Sequence, residues 1–426
     1  VSFADTVMGG RCGTRELGAA AFVNSLFMVV TVMQLGFGNG LTPLIGQLYS
    51  KGDRSRLGEM MKAGVVSNVM LSALFTFIFG GIYFFLDRFG QPSELLPLAR
   101  PYYLVMLSSL LPMAIFNAFQ QTSNGCTDTS TPMWIIIGSN VLNIIGNWLL
   151  INGEMGFPRL GLLGAGISTM TARYAAMLTM VGVYFFSRSR RDYIRGWRGR
   201  VRGRMSADCK RVWLTSFPVM VQSGIECFMW SFGGVVSGWF GTVQLASYQV
   251  VVTLSQLGFM IYMGISVATS IRVANLTGTS DFTGVRRIAL AGLHLTLLLA
   301  TLASIGFYFF SEPLIGFFTP DKLVEQAAIP LILPLILYQY GDAVQLNYAN
   351  ALRGTSEVRP LLWVAVVSYI IIGVPVMLWF AKWLGFGNVG VYYSFSVALF
   401  VASAGLWWSF RWAIRRFERG VAGAAG

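Results

Sequence analysis

Hydrophobic runs of about 20 residues recur along the whole of this 426-residue chain, and one such run suffices to cross the hydrocarbon core of a bilayer. In oil each segment must satisfy its own backbone N–H and C=O groups, so the runs are predicted to be helices. They lie near 19 to 47, 63 to 86, 97 to 121, 132 to 152, 162 to 187, 213 to 240, 245 to 272, 286 to 310, 324 to 352, 360 to 381 and 389 to 414, which makes eleven complete helices. Residues Val1 to Gly10 read as the end of a truncated first helix, because an Asp5 at membrane depth needs an apolar segment before it. The expectation is an all-α polytopic membrane protein with twelve spans, in keeping with 55% hydrophobic and 12% charged residues.

The net charge of +13 is distributed along the thread in a way that speaks against nucleic acid as a partner. The largest basic run, from Arg188 through Arg190, Arg191, Arg195, Arg198, Arg200, Arg202 and Arg204 to Lys210 and Arg211, sits between two spans. Smaller groups are Lys51, Arg54, Arg56 and Lys62; Arg272, Arg286 and Arg287; Arg353 and Arg359; and Arg411, Arg415, Arg416 and Arg419. In a twelve-helix thread all of them fall on one side, opposite loops that carry Asp87, Glu94, Glu312 and Asp321. The positive-inside rule makes that side cytoplasmic, with anionic lipid as the natural counter-surface. Cys12, Cys126, Cys209 and Cys227 have no metal-type spacing and read as free thiols.

The two halves of the sequence repeat one another. Gly13-Thr14 and Leu17 match Gly241-Thr242 and Leu245, Asp53 matches Asp281, and Thr127 and Pro132 match Thr355 and Pro360, every pair separated by 228 positions. Gly81 to Phe85 returns as Gly306 to Phe310 at an offset of 225, and Gly156-Phe157 with Gly161 returns as Gly385-Phe386 with Gly390 at 229. Six helices per repeat is an even number, so both halves enter the membrane from the same side. Two six-helix bundles related by a pseudo-two-fold axis along the membrane normal follow, with solute sites expected at the repeat interface. The boundaries are 1–187 for the first bundle, 188–212 for a basic cytoplasmic linker, 213–414 for the second bundle and 415–426 for a cytoplasmic tail. Pro43, Pro112, Pro218, Pro334 and Pro375 interrupt spans, either as kinks at tight packing or as bending points.

Asp5, Glu226 and Asp342 are acids inside otherwise apolar stretches, where a carboxylate costs roughly 2.5 to 3.5 kcal/mol even on lenient insertion scales. Asp342 lies about ten residues before Arg353, roughly 15 Å deep, with Tyr338, Gln339 and Gln345 beside it, and Glu226 reaches a similar depth. Two buried carboxylates can share a proton near neutral pH, or with a hydroxyl such as that of Tyr338 they can form a hard oxygen cage for Na⁺. A cationic substrate would compete for the same groups, and that competition is the physical basis of antiport. In the first half, Gln34, Asn140, Asn143 and Asn147 accompany Asp5 as a polar cavity lining or as bonds between helices. Arg173 stands as a neutralising partner for Asp5 or as a donor to backbone carbonyls. No Ser-His-Asp set, metal-ligand cluster or nucleotide loop is present in the sequence, so an enzyme is not expected, and no cofactor beyond the coupling ion.

Three stretches resemble the multidrug and toxic compound extrusion (MATE) transporters, in particular their NorM-type branch. They are Ala4 to Arg11, Ser266 to Val273, and Gly341-Asp342-Ala343-Val344-Gln345 with Ala351-Leu352-Arg353-Gly354. The likeness covers nearly the whole chain, with Tyr248-Gln249 standing where relatives often have His-Gln. It implies a bacterial inner-membrane antiporter, working as a monomer, that exports organic cations in exchange for Na⁺ or H⁺. It also implies cation coupling at Glu226, Asp342 and Asp5, and a first-bundle cavity lined by Asn143 and Asn147. A lipid-linked oligosaccharide flippase is the alternative, which would place several Arg or Lys in its cavity, where this sequence offers only Arg173.

Overall fold

The structure, a computed structural model, describes residues 14–89, 94–153, 156, 158–187, 190–199, 204–319 and 321–425. Asp5, Cys12 and the motif Ala4 to Arg11 lie outside the described residues. Among the described residues the regular structure is helix, and the chain forms two compact units, 1–216 and 217–426.

The first unit contains α1 (Thr14–Asn39), α2 (Leu41–Ser50), α3 (Arg54–Tyr83), α4 (Leu96–Ser108), α5 (Leu110–Gly125), α6 (Ser130–Asn152), α7 (Gly161–Phe186), the short α8 (Arg191–Arg198) and the start of α9 (Arg204–Gly238). The second holds the rest of α9, then α10 (Thr242–Gly278), α11 (Phe282–Phe309), α12 (Ser311–Phe318), α13 (Lys322–Ala328) and α14 (Ile332–Gly354). α15 (Arg359–Ala365) continues through π-helical turns at Val366–Gly373 into α16 (Val374–Leu378), and after a second π-helical stretch α17 (Gly387–Ala425) ends the unit.

Among the described residues, ten helical stretches are long and apolar enough to cross a membrane, and α7 adds a further helix of 26 residues. In seven of the ten, less than 40% of the apolar window is buried. Only 17% of the α6 window is buried, and Phe77 and Trp383 are each 81% exposed. Apolar surface on this scale is stable only against lipid, so the chain is a multi-pass membrane protein. Several helices extend beyond their apolar runs. α3 starts at Arg54 and not near 63, because Asp53 caps it by accepting from the Arg56 N–H, and α9 begins at Arg204 within the basic segment.

Three of the five span prolines fall in the first turn after a break: Pro43 follows the interruption at Gly40, Pro112 that at Ser109, and Pro334 opens α14. In a first turn the missing N–H removes no helical bond, so these prolines divide spans without leaving an orphan carbonyl. Pro218 sits in the interior of α9, and Pro375 lies where the π-helical turns run on into α16.

Local geometry recurs between the units at the offset seen in the sequence. Gly52 and Ser280 both have positive φ, at 74° and 62°, and the following Asp53 and Asp281 both cap the next helix through a side-chain oxygen. Gly156 and Gly385 likewise share positive φ, at 85° and 72°.

The basic segment of the first unit is anchored by glycine. A Cβ on Gly196 of α8 would stand 2.0 Å from the Ser55 carbonyl oxygen, and one on Gly58 of α3 would stand 2.1 Å from that of Tyr193. Trp197 packs its ring on Phe119, and Arg54 donates to Asp192 at 3.1 Å. Gly196→Val is expected to push α8 off α3 at about 1 to 3 kcal/mol, the usual scale of overpacking. Limited proteolysis of the basic segment should then speed up several-fold, while an unchanged cleavage rate would mean that α8 is held by other contacts.

Candidate functional site

The chemistry concentrates on α14. Its sequence from Tyr338 to Gly354 is polar for a membrane helix, yet every residue there except Tyr340 and Val344 is buried. The helix lies against α10, α11 and α17, which supply partners for its polar groups. Ser403 donates to the Gly341 carbonyl at 2.9 Å, and Asn347 donates to that of Ala289 at 3.0 Å. Gly341 lets α17 approach closely, since a Cβ there would lie 2.9 Å from the Leu399 side chain.

Asp342, Tyr338 and Gln345 lie on one face of α14, spaced by three or four residues. Together with Glu226 of α9 they line a single small cavity of about 40 Å³ within the second unit. Trp230, Tyr369 and Phe395 supply its aromatic wall. Trp230 meets Tyr338 edge-on at 5.2 Å and stacks on Phe395 at 4.6 Å, while its carbonyl receives the Tyr248 hydroxyl at 2.8 Å. The wall is therefore fixed in place.

The two carboxylates are treated differently. Glu226 Oε1 accepts two amide bonds, from Gln345 Nε2 at 2.8 Å and from Gln222 Nε2 at 3.0 Å. Asp342, only 4% exposed, keeps its Oδ2 without a hydrogen-bond partner. A buried carboxylate oxygen left bare is expensive, which makes it the natural place for a proton or a small cation to sit. The cavity has room for little more than such an ion with some water, and not for a drug-sized molecule. Among the described residues no group of three His, Cys, Asp or Glu is placed to bind a metal, and the polar side chains lining the cavity are the Glu226 and Asp342 carboxylates, the Tyr338 hydroxyl and the Gln345 amide.

The first-unit candidates are placed elsewhere. Gln34 is fully buried on α1, donating to the Leu110 carbonyl at 3.0 Å, with its Oε1 unpartnered. Asn143 is buried between α6 and α7, where its Nδ2 donates to Thr169 Oγ1 at 3.2 Å and to Ser168 Oγ at 3.4 Å. Asn147, one turn on, is equally buried. Arg173 donates to Ser109 Oγ at 2.7 Å. The structure thus assembles Glu226, Asp342, Tyr338 and Gln345 and keeps Gln34, Asn143 and Asn147 inside the first unit.

Gln222, Trp230 and Arg353 also shape the site, and sequence reasoning did not assign them to it. Gln222 carried a signal, because it precedes Glu226 by one helical turn. Arg353 reads in the sequence as a surface charge, but it is 6% exposed and turned inward.

Bilayer-length helices that enclose a carboxylate pair on a small cavity define the class as a multi-pass membrane protein with a buried polar site. The MatE family pattern matches residues 1–149 and 218–379, and the chain belongs to that family, whose members are transporters and not enzymes. It is 27% identical over 424 residues to the probable multidrug resistance protein NorM of Rhizobium meliloti, covering 98% of this chain and 90% of that one. To the multidrug resistance protein NorM of Aliivibrio fischeri it is 26% identical over 377 residues, covering 88% and 81%. A solved structure of a MOP superfamily transporter from Pyrococcus furiosus is similar in fold, with a TM-score of 0.87 at 17% identity over 98% of this chain and 92% of that one.

Proposed function

We propose that this chain is a secondary active efflux antiporter that exports organic cations in exchange for Na⁺ or H⁺. The observation that carries the reading is the pairing of Glu226 with Asp342, whose Oδ2 is bare, on one cavity inside bilayer-spanning helices. A group that must be neutralised to remain buried binds the coupling ion in one state and gives it up in another. The drug itself needs a larger space, for which Asp5, Gln34, Asn143, Asn147 and Gln345 are the proposed lining, Asp5, Asn143 and Asn147 among them pointed to by the resemblance. The names of the relatives support the multidrug part of the reading.

The proposed architecture is twelve helices in two six-helix bundles related by a pseudo-two-fold axis along the membrane normal, with the first bundle at 1–187 and the second at 213–414. The proposed setting is the bacterial inner membrane, with the 188–212 segment and the C-terminus cytoplasmic and the chain working as a monomer.

Purified protein in sealed vesicles loaded with a cationic dye tests this reading. A Na⁺ gradient or a pH gradient, imposed separately, is expected to drive dye movement with one of the two ions, and Glu226→Gln is expected to reduce the driven rate at least about tenfold. No dye movement under either gradient, from protein shown to be folded, would remove the antiporter.

A further inference from the structure

Arg353 is a buried guanidinium whose charge no carboxylate meets within ion-pair distance among the described residues. Its Nη2 donates to Gln222 Oε1 at 3.1 Å, its Nη1 reaches Asn350 Oδ1 at 3.5 Å, and its Nε has no hydrogen-bond partner. A buried charge left this way is costly unless something compensates it. Gln222 provides the link, because the same side chain that accepts from Arg353 donates through its Nε2 to Glu226 Oε1 at 3.0 Å. The amide is oriented with its oxygen toward the cation and its N–H toward the carboxylate. Its dipole therefore transmits the attraction between the two charges in place of direct contact.

We propose that Arg353 is an internal competitor for the coupling cation, holding Glu226 through Gln222 so that an ion entering the cavity binds weakly enough to be released. The proposal rests on the reading of Glu226 and Asp342 as the coupling pair and adds the residue that sets their affinity. Arg353 does not line the cavity and acts on it only through Gln222, so it is a positioning residue. Its location suits the role. Gln345 and Arg353 lie about two turns apart on α14, so one rigid helix carries both a donor to Glu226 and the charge that opposes the ion.

The test is saturable ²²Na⁺ binding to the full purified chain at fixed pH, with Na⁺ as the probe. A positive charge within reach of a cation site weakens binding, so Arg353→Gln is expected to tighten ²²Na⁺ binding about tenfold, and Arg353→Lys to stay near wild type. A purely structural role predicts the opposite sign, because loosening the site weakens binding. Should Arg353→Gln not fold, Gln222→Leu breaks the same link and is expected to tighten binding about threefold. Unchanged or weaker binding in the folded variant, with the wild type binding normally, overturns the proposal. A wild type without saturable binding is a different failure, which removes the cation site itself and the proposal with it.

Discussion

Asp342→Asn is expected to insert and fold as the wild type does and to lose gradient-driven export entirely, down to the leak of protein-free vesicles. The structural half of this expectation follows from the environment of the side chain. The amide has nearly the shape of the carboxylate, and Asp342 Oδ2 has no hydrogen bond to lose. The helix that carries it is held by other bonds, from Ser403 to Gly341 and from Asn347 to Ala289. The change in stability should therefore stay below about 1 kcal/mol. The functional half follows from charge. An amide neither takes up a proton nor contributes a formal negative charge to a Na⁺ site, so each cycle loses the charge that the gradient pulls on. At 100 mV that pull is about 2.3 kcal/mol per charge, or a roughly fiftyfold concentration ratio of exported dye. Dye efflux from vesicles with a thermal melt of the same preparation measures both halves. Wild-type efflux from a well-folded Asp342→Asn protein would remove the coupling role.

What was legible in the sequence was whatever depends on hydropathy. The apolar runs mark the helices because a segment in oil has no alternative, and Glu226 and Asp342 stand out because acids are so costly there. The 228-residue offset shows itself again in backbone detail, in the matched caps at Asp53 and Asp281. Helix ends were less legible. The apolar run marks only the part of a helix in the membrane, and α3 and α9 continue past it into polar sequence under the control of caps and tertiary contacts. The least legible residue was Arg353. An arginine one residue before the end of a helix reads as a charge in water, and only the packing of α14 shows that its side chain turns inward to Gln222. The first-unit amides show the reverse difficulty. Asn143 has the composition of a cavity lining, yet its Nδ2 is bonded to Ser168 and Thr169 of the neighbouring helix, a choice that depends on what faces it and not on its own sequence.

Asp208→Ala is expected to be the most destabilising single change in the first unit, by about 3 kcal/mol, and Arg56→Met with Asp208→Leu together to recover most of that loss. Asp208, at the start of α9, has 5% of its side chain exposed and receives both terminal nitrogens of Arg56, with Nη1 to Oδ2 at 2.6 Å and Nη2 bonded to Oδ1. Arg56 also donates to Glu59 at 2.5 Å, one turn on along α3. Removing Asp208 leaves a guanidinium that is 20% exposed and bonded to Glu59 alone, so the loss falls at the lower end of the 3 to 5 kcal/mol range for a broken buried pair. Replacing both partners with apolar side chains of similar size removes the desolvated charges along with their attraction, which is why the double change is close to neutral. Arg56→Lys should fall between, since an ammonium keeps the charge but cannot present two parallel N–H bonds to one carboxylate. Thermal unfolding of the four proteins in one detergent gives the comparison directly. A double variant as unstable as Asp208→Ala would mean that the pair is needed for more than its charges, and that α9 is positioned on α3 by the shape of the fork itself.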